Sequence, residues 1–104
     1  MLADVLTIEE LRGRIDVIDD QLVRLLNVRV ACAVEIGRLK HDQGVPIYQP
    51  EREKQVLAQV RASATKLAGP LNADAVVRIF ERVMDEARRS ERRAAEGPED
   101  QERE

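Results

Sequence analysis

The sequence has no tryptophan, one phenylalanine (Phe80) and one tyrosine (Tyr48), so any core it builds is aliphatic. Cys32 is the only cysteine, which excludes an internal disulfide and points to a reducing cytoplasm. Such a cysteine is expected to serve as a small buried hydrophobe. No apolar run approaches the length of a membrane span, and no signal peptide is evident. No β-rich segment and no internal repeat appear, which excludes sheet folds and repeat arrays. A basic surplus is missing too. The net charge is −3, and residues 94–104, "AAEGPEDQERE", hold five acids and one arginine of it. The remainder has 16 basic and 15 acidic residues, no footprint for nucleic acid.

What is present is a helical pattern. Apolar residues make up 43% of the 104 positions, too many for a disordered chain, and the length is that of one domain. The expected division is a helical domain over 1–93 and a disordered acidic tail over 94–104. The first helix is announced by a capping box, Thr7 with Glu10 three residues on, and by Leu6 and Leu11 as a staple. Apolar residues then recur at 11, 15, 18, 22, 25, 32, 36 and 39, one stripe of a helix over 8–41. Gly44 and Pro46 end it. Pro50 opens a second helix that reads to about Ala64, and acids fill its first turn. After "AGPLN", Asn72 caps a third helix whose stripe is Val76, Phe80, Val83, Met84 and Ala87.

The first helix is too long for a lone domain. Its 34 residues span roughly 51 Å at about 1.5 Å each, whereas a compact chain of this size is only ~30–35 Å across. One end must project with its apolar stripe bare, which water penalises. A second copy is the simplest cover. The expected fold is therefore all-α: a three-helix chain with a very long first helix, interlocked as a homodimeric helical bundle. Leu22, Leu25 and Ile36 are expected to be core.

Position 29 of that stripe is Arg29, and a cation in an apolar seam is costly unless paired. Lys40, eleven residues on, is rotated by only about 20° and lies roughly 16 Å further along the axis. The two cations can converge on one molecule. Arg12 points about 100° away from Arg29, so it is better placed to enter a partner's pocket. Glu53 lies on the inner stripe of the second helix, Glu91 continues that of the third, and Arg52 stands beside Glu53 as a possible brace. The cluster is either an internal ion network that fixes register or a cationic pocket for a small dianion, with arginines gripping carboxylates.

Three stretches carry a resemblance: "LRGRIDVIDDQLVRLLNVRVACAVEIGRLK", "PIYQPEREKQVL" and "VVRIFERVMDEARRSE". In this order, with an R-(x)10-K spacing and the P-I-Y-x-P-x-R-E turn, residues 8–92 resemble the all-helical chorismate mutases. The resemblance implies an intertwined homodimer with two sites, each built from both chains, that rearranges chorismate to prephenate on the route to phenylalanine and tyrosine. It implies that Arg29 and the partner's Arg12 bind the two carboxylates and that Lys40 donates to the ether oxygen. Glu53 would hold the ring hydroxyl with the Gln49 backbone, and Arg52 would support the site. No nucleophile, metal or cofactor is needed: clamping holds the compact conformer and donors stabilise charge on the ether oxygen.

Three positions depart from the usual family pattern. Gln49 replaces a common Asp, at a place that offers mainly backbone. Ala87 replaces a common Ser, removing one carboxylate hydrogen bond. Glu91 replaces a common Gln, and it donates a hydrogen bond only when protonated. His41 reads as a solvent-facing residue near the helix end, and Tyr48 as a packing plug for the turn. Two other functions fit the same resemblance: isochorismate pyruvate lyase, and a non-catalytic dimeric regulatory module docked to another enzyme of the shikimate pathway. Arg12, Arg29, Lys40 and Glu53 together argue for a live site.

Overall fold

The computed structural model describes residues 5–97, and these form three helices and no strand. Helix α1, Ile8–Asp42, starts where the capping box places it: the Thr7 hydroxyl oxygen accepts from the Glu10 amide at 3.0 Å. It ends in a Schellman motif, with the Gly44 amide bonded to the His41 carbonyl and the Val45 amide to the Lys40 carbonyl. Gly44 takes φ 72°, the left-handed region that a Cβ disfavours. This reversal swings residues 45–49 back toward α1 and starts α2, Pro50–Leu67.

Helix α2 runs three residues past the expected end at Ala64. Its stop is Ala68, which adopts φ 54° without being glycine and returns its amide to the Ala64 carbonyl. Helix α3, Ala73–Glu96, is capped by the Asn72 side chain, which accepts from the Ala75 amide at 2.8 Å. Three residues of the expected tail, 94–96, thus belong to α3, Gly97 is its C-cap, and 98–104 lie outside the described residues.

Helix α3 is the central element. It packs against both α1 and α2, which do not pack on each other. Val56, Met84 and Ala87 are the buried apolar side chains, all where α3 meets its neighbours. An ion pair from Arg61 to Asp74, 2.8 Å, ties α2 to the start of α3. The chain is elongated, 61 × 33 × 17 Å, with a radius of gyration of 18.1 Å against ~13 Å for a compact chain of this length.

The excess length is α1. Residues 8–28 are exposed throughout. Leu22, Leu25 and Ile36, expected as core, remain 51%, 65% and 51% exposed in the single chain. The cause is geometric: α3 alone packs on α1, Leu22 and Leu25 lie on the exposed stretch before residue 29, and Ile36 faces a cavity. Cys32 is exposed as well rather than buried, because its face of α1 opens onto a cavity instead of onto α3. Among the described residues no helix is long and apolar enough to cross a membrane.

Candidate active site

That cavity, about 280 Å³, has walls from all three helices and the α1–α2 turn. Helix α1 contributes Arg29, Cys32, Ala33, Ile36 and Lys40, the inner face of its last covered turns. The turn adds Ile47 and Gln49, α2 adds Arg52, Glu53 and Val56, and α3 adds Met84, Ala87, Arg88 and Glu91. Seven of the eight positions singled out in the sequence therefore meet in one place. The eighth, Arg12, does not line it; it sits on the bare N-terminal part of α1.

Each side chain is set by its element. Arg29 solves the problem of a cation in an apolar stripe without a carboxylate: its guanidinium carbon lies 5.8 Å from the centroid of the Phe80 ring on α3. Arg29 and Lys40 form no ion pair among the described residues. Gln49 precedes α2, its carbonyl accepting from the Glu53 amide at 3.1 Å and its side-chain amide donating to the Pro46 carbonyl at 3.1 Å. These two bonds fix where the first turn of α2 points. His41 is exposed near the end of α1, as expected.

The brace on Glu53 is not Arg52. Neighbours in a helix do not face each other, and Arg52 donates instead to the Gln55 side chain one turn on, at 2.5 Å. Glu53 pairs across the helix interface with Arg88. Arg88 also reaches Asp85 at 3.2 Å, and its guanidinium lies 5.2 Å from the centroid of the Tyr48 ring. Tyr48 is itself 55% exposed, so it serves as a platform rather than a plug. The hydrogen bond to Glu53 holds the Arg88 guanidinium still more firmly charged than usual. A signal for Arg88 was present in the spacing: it follows Phe80 by eight residues and Met84 by four, on the apolar stripe of α3.

Glu91 reaches from α3 to the part of α1 that carries Lys40, and both line the cavity. Burial pushes its carboxyl above the ordinary range, Lys40 and Arg88 pull it back, Glu53 raises it further, and Arg92 opposes. The side chain lies directly over Gly37, the buried glycine of α1. Four cations, Arg29, Lys40, Arg52 and Arg88, thus surround two acids, Glu53 and Glu91. The cavity keeps a positive excess of two even with both acids ionised, and of three with Glu91 protonated. That balance suits a small dianion.

Fold and site together define a class: an all-helical chain with a cation-rich cavity walled by three helices and a long helix left half uncovered. The family model of chorismate mutase type II matches residues 11–92, and the chain belongs to that family. A bifunctional chorismate mutase/prephenate dehydratase of Neisseria gonorrhoeae is 43% identical over 90 residues, 83% of this chain and 24% of that protein. The chain spans about a fifth to a quarter of the length of such curated relatives. Among solved structures, a chorismate mutase (form II) of Thermus thermophilus superimposes with a TM-score of 0.78 at 31% identity, over 83% of this chain and 94% of that one. A chorismate mutase of Helicobacter pylori in complex with prephenate does so with a TM-score of 0.76 at 30% identity, over 88% and 96%.

Proposed function

We propose that the chain rearranges chorismate to prephenate. The observation that carries this reading is the cavity itself, in which Arg29, Lys40, Glu53 and Glu91 converge with a surplus of positive charge, in a chain of the chorismate mutase family. The substrate is a compact dianion with an enolpyruvyl ether and a ring hydroxyl. In this reading Arg29 grips one carboxylate, Lys40 donates to the ether oxygen, and Glu53 accepts from the hydroxyl. Arg52 adds positive charge at the rim, Gln49 presents its backbone, and Ala87 shapes the wall without supplying a hydrogen bond.

The reaction is a unimolecular [3,3] shift: the ether C–O bond breaks as a C–C bond forms, and no proton or electron leaves the substrate. The residues therefore act by position and field. Gripping the carboxylates selects the folded conformer in which the two carbon termini meet. Lys40, and Glu91 when protonated, stabilise the negative charge that grows on the ether oxygen.

The second carboxylate needs another cation, and the uncovered stripe of α1 supplies the route to it. A homodimer that buries Leu11, Ile15, Ile18, Leu22 and Leu25 against a second copy brings the partner's Arg12 to the open end of the cavity. The single cysteine is in keeping with a reducing cytoplasm, and the multi-enzyme relatives make docking to another enzyme of the same route a natural extension. The decisive experiment is the disappearance of chorismate with the purified chain, with isochorismate as the control for lyase activity. A chain that folds and leaves chorismate unchanged refutes the proposal.

A further inference from the structure

Arg88 is fastened on three sides. It donates to Oε2 of Glu53 on α2, reaches Oδ1 of Asp85 on its own helix at 3.2 Å, and lies over the Tyr48 ring of the α1–α2 turn. The side chains of Arg88 and Glu53 are 21% and 24% exposed, so neither swings freely in water. An exposed pair of long side chains gains little from meeting. A half-buried pair gripped at three points holds its geometry.

The consequence falls on Glu53. One of its oxygens is committed to Arg88, and the other is left to the cavity. An ionised carboxylate is an acceptor only, so a donor arriving in the cavity meets a fixed acceptor at a fixed place. Lys40 lines the same cavity. With Arg88 gone, Lys40 is the ammonium to which the Glu53 carboxylate would turn. That pairing would remove the acceptor from its post and tie up the donor on the ether side. Arg88 therefore holds Glu53 in place within a cavity that also contains Lys40.

We propose that Arg88 is a specificity-determining positioning residue, which commits Glu53 to the ring hydroxyl of the bound dianion and keeps it off Lys40. The inference rests on the reading of the cavity as a chorismate site. It assigns Arg88 no contact with the reacting atoms. Its signature is selectivity: the preference for a substrate that carries the hydroxyl over an analogue that lacks it.

The test compares kcat/KM for chorismate and for its analogue without the ring hydroxyl, in wild type and in Arg88→Met. Wild type is expected to prefer chorismate, and Arg88→Met to lose about 10- to 100-fold of that preference, the worth of a hydrogen bond to a charged group. Circular dichroism checks the fold; should Arg88→Met not fold, Arg88→Gln carries the same comparison, keeping a polar side chain but not the charge or the reach. A variant that folds and loses activity on both substrates in the same proportion shows a structural role and overturns the inference. So does a wild type that turns over chorismate without preferring it. A wild type inactive on chorismate removes the functional reading, and this inference with it.

Discussion

A methyl group on Gly37 of α1 would stand 3.0 Å from Oε2 of Glu91 on α3, and 3.3 Å from its Cγ. The glycine is what lets the acid lie flat across the helix crossing, at the edge of the cavity it helps to line. Contacts under about 3.4 Å force the neighbour to give way, and here the neighbour is the end of a flexible side chain. Gly37→Ala should therefore fold, helped by the better helix propensity of alanine, worth up to ~1 kcal/mol. It should displace the Glu91 carboxyl and lower kcat/KM for chorismate by about 10- to 100-fold, the scale on which ångström misplacements act. Melting temperature and kcat/KM measured on the same preparation decide it. A variant as active as wild type would show that the exact seat of Glu91 is immaterial.

Protonation of Glu91 should appear in the pH profile. Burial raises its pKa against the pull of Lys40, Arg88 and Arg92, and Glu53 adds to the rise. In the proposed site only the acid form would donate a hydrogen bond to the ether oxygen, and the ionised form would oppose the charge that develops there. Catalytic efficiency should fall as pH rises through the Glu91 titration, and Glu91→Gln should flatten the profile between pH ~4 and ~9. The effect on stability has the same sign. With its pKa raised on folding, the native state binds more protons than the unfolded one in that window, so wild type should lose stability relative to Glu91→Gln as pH rises through it. Thermal melts of both proteins across the range check this. A wild type whose activity grows with pH through Glu91 would reverse the assigned role.

Arg12 and Arg29 should complement each other between chains. Arg12→Ala and Arg29→Ala homodimers should each be nearly inactive. A refolded equal mixture should recover about a quarter of wild-type activity, because half of random dimers are mixed and each mixed dimer holds one intact site. Absence of recovery in verified heterodimers would confine both arginines to one chain's site, or Arg12 to none.

Ala68 offers a prediction remote from the cavity. Its φ of 54° is left-handed, a conformation glycine adopts without cost. Ala68→Gly should stabilise the fold by about 1 kcal/mol and raise the melting temperature by roughly 4–8 °C, with kcat unchanged. Calorimetry settles it, and a lowered melting temperature would mean that lost chain entropy outweighs the relieved strain.

How far these features were legible in the sequence depends on the range of the interaction that sets them. Thr7 and Asn72 cap their helices through contacts three residues away, and both could be read directly. The convergence of Arg29 and Lys40 follows from the rotation of a single helix. The partner of Glu53 is 35 residues distant on another helix, and adjacency favoured Arg52, which the helical rotation in fact turns away. The end of α2 was missed by three residues because Ala68 takes a conformation that usually advertises itself as glycine. Burial of Leu22 and Leu25 was assigned from apolarity, which states that a residue needs cover but not which chain provides it.

The central place of α3 has a mechanical consequence. Since α1 and α2 each lean on α3 and not on one another, the gap between the wall bearing Arg29 and Lys40 and the wall bearing Glu53 is set by the side chains of one spacer. Met84 and Ala87 are the buried members of that spacer and also line the gap. They work as a shim between two jaws. A bulkier residue at position 87 would both fill the chamber and spread it, so the width offered to a ligand is tuned by volume on a single helix, with the charged groups left untouched.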